Sequence, residues 1–173
     1  MQMRIRVAAS TIAIFLAVAG ASPAVGASAP SDACSLLTQD QVSGAAGVKL
    51  GAGTHVTPTF VKTCTWSVPG AAIKGVKSVT LSLQPGSSFA SAKMFMEQAQ
   101  AMAKTEKGAA QISNASVSGI GDDAFYTSMG TGYTALLVKK GDVAMKVAMY
   151  GDLPSEKKKA IEKTLALQAL SKL

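Results

Sequence analysis

Apolar and polar positions alternate with period two in several short stretches of this chain. "VKSVTLSL" (76–83) puts Val79, Leu81 and Leu83 on one face and Thr80 and Ser82 on the other. "VAMKVAMY" (143–150) aligns Val143, Met145, Val147 and Met149. Both read as half-buried strands. The run Tyr133–Lys139 precedes the second of them across the tight turn "KKGD", which predicts a β-hairpin. Further strands are predicted at "FVKTCTWSV" (60–68), where Cys64 and Trp66 share a face, and at Ala124–Ser128, before the glycine-rich turn "MGTGY".

Elsewhere the period lengthens to that of a helix. In "FASAKMFMEQAQAMAK" (89–104), Phe89, Ala92, Phe95, Met96, Ala99, Met102 and Ala103 form one stripe. Lys93, Glu97, Gln100 and Lys104 lie opposite, and Ser88 is the expected N-cap. A short helix follows Thr38, with Gln41 completing a capping box and Gly44 and Gly47 limiting its length. Leu36 and Leu37 are placed to pack back on Val42. A last helix starts at Pro154, its apolar face beginning with Ile161, Thr164 and Leu165. Its first turn carries Lys157, Lys158 and Lys159 in three directions, which predicts a solvated basic surface. "VKLGAGTHVTPT" reads as irregular and "TEKGAAQISN" as a polar connection. The order α-β-β-α-β-β-β-α gives a single α+β domain: a mainly antiparallel sheet with helices packed on one face.

The first 27 residues stand apart. Arg4 and Arg6 precede a short apolar run, and Val25 and Ala27 fit a signal-peptidase site, which predicts a signal peptide over 1–27 and an exported domain over 28–173. Asp32 lies in the stretch before Cys34 where lipid attachment needs apolar residues, so a soluble secreted or periplasmic protein without a stable membrane anchor is expected. Both arginines leave with the leader, and 15 lysines against 10 acids give the mature chain a charge of +5. A domain without arginine lacks the guanidinium forks of base and phosphate recognition, so no nucleic-acid partner is expected. Cys34 and Cys64, the two cysteines of an exported chain, predict a disulfide.

Candidate chemistry is sparse. "GIGDDAFYTSMGTGY" offers Gly119, Gly121, Asp122, Asp123 and Tyr126 as a possible ligand loop. A phosphate loop needs a helix after its glycines and no carboxylates; here a strand and two aspartates follow. Calcium through Asp122, Asp123 and Asp142 is the alternative, without the spacing of a calcium loop. Met94, Met96, Met102, Met145 and Met149 offer thioethers to copper(I), although the helical and strand phases assign all but Met94 to the core. His55, the single histidine, has no evident acid partner in the sequence. Glu97 and Glu106 are dispersed carboxylates, and an envelope hydrolase using such groups is the enzymatic alternative. No catalytic motif and no cofactor signature is present.

Two stretches carry a resemblance. "DACSLLTQDQVSGAAGV", followed by "CTW", and later "VSGIGDDAFY" with "LLVKKGDVAMKVAM", resemble a family of small exported bacterial proteins, many of them lipoproteins, classed as a domain of unknown function. That resemblance supports the fold and the disulfide and implies no enzymatic activity. The expected function is a non-catalytic binding or interaction domain of the bacterial envelope, meeting an envelope protein or a small ligand.

Overall fold

The alternating runs assemble into one antiparallel sheet. The structure, a computed structural model, describes residues 32–70, 75–105 and 111–173. The predicted leader and its cleavage site lie outside the described residues, as does Glu106. Among the described residues there are seven strands: β1 (Thr54–His55), β2 (Thr63–Ser67), β3 (Gly75–Pro85), β4 (Ile112–Val117), β5 (Asp123–Met129), β6 (Tyr133–Lys140) and β7 (Val143–Asp152). Their order across the sheet is β1-β2-β3-β7-β6-β5-β4. Three helices join them: α1 (Gln39–Ala46), α2 (Ser87–Thr105) and α3 (Ser155–Leu170). A single 3-10 turn, Ala33–Ser35, precedes α1.

The capping chemistry is as the sequence specified. Thr38 accepts from the Gln41 backbone, Gln41 returns the bond, and Gly47 closes α1 in the left-handed region at φ 67°. Cys34 and Cys64 form a disulfide with Cα atoms 5.0 Å apart, tying the 3-10 turn to β2.

Val79, Leu81 and Leu83 of β3, Met145, Val147 and Met149 of β7, and Leu136 and Val138 of β6 face α1 and α3. There they meet Leu36, Leu37, Val42, Ile161, Leu165 and Ala169 in one buried cluster. Each fully buried aliphatic side chain of this kind contributes about 1.5–3 kcal/mol.

Helices occupy both faces of the sheet, contrary to the one-sided expectation. β5, β6 and β7 are apolar on both sides, and Phe125, Leu137 and Ala144 face away from α3. Topology places α2 over them. It connects central β3 to edge strand β4 and so must cross β7, β6 and β5.

Three local expectations are also corrected. Ser88 lies inside the first turn of α2 and donates to Pro85 O at 2.6 Å, so it is not the N-cap. "ISNASV" is strand β4, whose polar sequence hides it because an edge strand needs backbone partners more than apolar alternation. Thr54 and His55, in the stretch read as irregular, pair with β2. Gly53 just before them presses its backbone on Cys64 and Trp66. A Cβ there would come within 2.7 Å of the Cys64 sulfur and the indole nitrogen.

Candidate functional site

α2 is pinned at intervals and open between them. Phe89 sits edge-on to Phe125 with ring centroids 5.4 Å apart. Lys93 Nζ meets Asp123 Oδ2 at 2.9 Å, and Asn114 Nδ2 donates to Met96 O at 2.6 Å. Of the rest of its apolar stripe, Ala92, Met96, Ala99 and Ala103 are half-buried and the two large side chains Phe95 and Met102 stay uncovered. Phe95 is 67% exposed and Met102 65%, so the sequence-based assignment of both to the core is corrected. Beneath the open part lies a cleft of about 520 Å³ against the outer face of β5, β6 and β7.

Its walls are Phe95, Met96, Met129, Leu137, Tyr133 and Tyr150. The two tyrosines are cross-strand partners on β6 and β7, their ring centroids 4.9 Å apart. Three polar groups interrupt these walls: Gln84, Thr127 and Lys146. Thr127 is buried, and its hydroxyl has no hydrogen-bond partner among the described residues. Lys146 is half-buried and forms no ion pair among the described residues. Burial, with Tyr150 and Glu162 nearby, pushes the Tyr133 phenol up to about 12, so it remains a neutral donor. The sequence reading missed this cleft. Its one available signal was Leu137 alternating with Leu136 and Val138, a strand apolar on both faces.

The glycine-rich loop serves the fold. Gly119 and Gly121 adopt φ 78° and 60°, and Ile120 between them is buried. Asp122 Oδ2 accepts from Gly141 N at 2.7 Å, closing the β6–β7 turn. Asp123 is held by Lys93. Tyr126 faces α3, its hydroxyl donating to Lys159 O at 2.8 Å, and burial with Glu162 and Glu156 nearby pushes it up to about 12. Asp122, Asp123 and Tyr126 of this candidate loop are thus engaged with the scaffold, and Asp122, Asp123 and Asp142 do not gather into a ligand cluster among the described residues. The methionines are split by the sheet. Met145 and Met149 are in the α3-side core, and Met94, Met96 and Met102 are on α2 across it.

His55 does have an acid partner, one sequence distance concealed. Its Nε2 lies 2.9 Å from Asp32 Oδ1. Because a carboxylate only accepts, the proton sits on Nε2. The His55 contact and the Cys34 backbone N–H hold the Asp32 carboxyl below its usual range. Asp32, Cys34 and His55 bring potential ligand atoms within 4.8 Å of one another.

The three-lysine turn of α3 is not a solvated surface throughout. Lys158 is fully buried and donates to Thr131 O and Gly151 O. Glu162, one turn on, is also fully buried and accepts from Thr134 Oγ1 at 2.5 Å.

No family model matches the chain, and no curated protein or solved structure is significantly similar to it. Among the described residues, no helix is long and apolar enough to cross a membrane.

Proposed function

We propose that this chain is an exported, non-catalytic binding domain of the bacterial envelope, whose ligand is an elongated apolar molecule with an acidic end. One observation carries the reading: the α2 cleft keeps aromatic and thioether side chains open to solvent above a floor that includes Thr127, whose hydroxyl has no partner among the described residues. The opposite face of the same sheet is packed solid. A cleft of about 520 Å³ lies within the range of roughly 300–1,000 Å³ typical of small-molecule sites.

Phe95 and the Tyr133–Tyr150 pair supply apolar contact, with rings that lose little rotamer freedom on binding. Lys146, lacking an acidic partner in the described protein, supplies the charge that would meet a carboxylate or phosphate. The disulfide suits an oxidising compartment, which agrees with export.

The test is titration of the mature protein with a fluorescent polyene fatty acid, followed by displacement with an unlabelled fatty acid and its alcohol. Saturable binding weakened by both Phe95→Ala and Tyr150→Ala is expected, with the acid displacing better than the alcohol. Absence of saturable binding, or binding indifferent to both substitutions, would overturn the proposal.

A further inference from the structure

The disulfide and the His55–Asp32 pair share one corner of the sheet. His55 and Cys64 are direct register partners on β1 and β2, so their side chains emerge side by side on the same face. The disulfide brings Cys34 to that point, and Asp32 reaches it from two residues upstream. We propose that reduction of the Cys34–Cys64 bond converts this corner into a binding site for a zinc-class divalent cation, with Asp32, Cys34, His55 and Cys64 as its ligands.

The donor set is one carboxylate oxygen, one imidazole nitrogen and two thiolates. Four ligands of these types match tetrahedral zinc. For Asp32, Cys34 and His55 the dimensions agree, and Cys64 is brought to them by its bond to Cys34. Around such an ion an oxygen and a nitrogen ligand lie about 3.3 Å apart, and two sulfurs about 3.8 Å apart. Asp32 and His55 already stand 2.9 Å apart. The ligand atoms of Asp32, Cys34 and His55 all fall within 4.8 Å of one another. The chief adjustment is separation of the two sulfurs, which the short 3-10 turn carrying Cys34 permits more readily than the sheet carrying Cys64. Cys64 is fully buried and Cys34 partly exposed, so the ion enters from the Cys34 side.

In the oxidised protein the site is closed, because each sulfur is spent in the other's bond and neither is a thiolate. A phosphine reductant opens it. The sulfur–sulfur bond breaks, phosphorus takes the oxygen of one water to become a phosphine oxide, and that water's two hydrogens go to the two sulfurs. Zinc then displaces both thiol protons to solvent, and the His55 proton moves through solvent from Nε2 to Nδ1, leaving a neutral imidazole with Nε2 free to ligate. The ion takes over the cross-link between the 3-10 turn and β2.

Cobalt(II) is the probe, added to the mature protein with and without prior treatment by a phosphine that does not bind the metal. Reduced protein is expected to show thiolate-to-cobalt charge-transfer bands and tetrahedral ligand-field bands, saturating at one ion per chain and erased by zinc. Oxidised protein should show neither. His55→Ala and Asp32→Asn leave the disulfide intact and should each weaken cobalt binding by the reduced form about tenfold or more. Reduced protein without thiolate bands, or bands of unchanged affinity in both variants, would overturn the proposal. Should reduction unfold the chain, zinc must restore the far-ultraviolet circular dichroism of the folded state, and failure to do so also overturns it.

Discussion

Lys158 and Glu162 stand one turn apart on α3 with both side chains fully buried, yet each finds its hydrogen bonds on the sheet and its β5–β6 turn rather than on the other. Burial pushes the Glu162 carboxyl up to about 8 and pulls the Lys158 amine down. The second Glu162 oxygen has no partner among the described residues, which suits a protonated acid better than a carboxylate.

The pH dependence follows. The folded protein holds the Glu162 proton up to about pH 8, while the unfolded chain releases it near its ordinary value of 4.5. The contribution is therefore fully present below 4.5 and lost as pH rises through 8. Stability should fall across that window, by at most about 1.4 kcal/mol per pH unit from this group. Glu162→Gln, which keeps an acceptor for Thr134, should flatten the decline and be the more stable form at pH 9. Denaturant unfolding at pH 5, 7 and 9 checks this.

Thr127 contains a mismatch of a different kind. Its buried hydroxyl lacks a partner among the described residues, so Thr127→Val should leave stability unchanged or raise it by about 1 kcal/mol. The same substitution should weaken a ligand that bonds to that hydroxyl. Melting temperature and the polyene titration, made on one sample, separate the two effects.

Gly121 tests the role of the glycine-rich loop. Its φ of 60° is left-handed, and a Cβ there would strike Lys139 O and Val138. Gly121→Ala should cost more than about 1–2 kcal/mol, the price of the left-handed backbone alone. Asp122→Ala, which frees Gly141 N, should cost about 1 kcal/mol. Neither should alter cleft binding in protein that remains folded, as measured by the same titration.

The disulfide closes a loop of 30 residues. Replacing both cysteines by alanine should cost about 3–4 kcal/mol on the chain-entropy account. Equilibrium unfolding in urea gives the value. A fall in midpoint with little change in slope would place the effect in stability rather than in the extent of unfolding.

The sequence by itself determined what neighbours along the chain decide. Thr38 and Gln41 set the start of α1 and Gly47 its end, because capping is completed within a few residues. Val79, Leu81, Leu83, Met145, Val147 and Met149 carried the buried face, because a strand's sidedness is written in alternate positions. The α+β class was legible for the same reason, and the disulfide because the chain has two cysteines and so one possible intramolecular pairing. Only the tertiary structure decided the rest. Which strands lie between β3 and β4 depends on pairing between distant segments, and that pairing sends α2 across the second face and leaves the cleft beneath Phe95. Asp32 and His55, 23 residues apart, meet because the disulfide and the β1–β2 register bring them together. Lys158 read as solvated because lysine normally is; its burial is set by carbonyls of Thr131 and Gly151 that only the closed sheet presents to it.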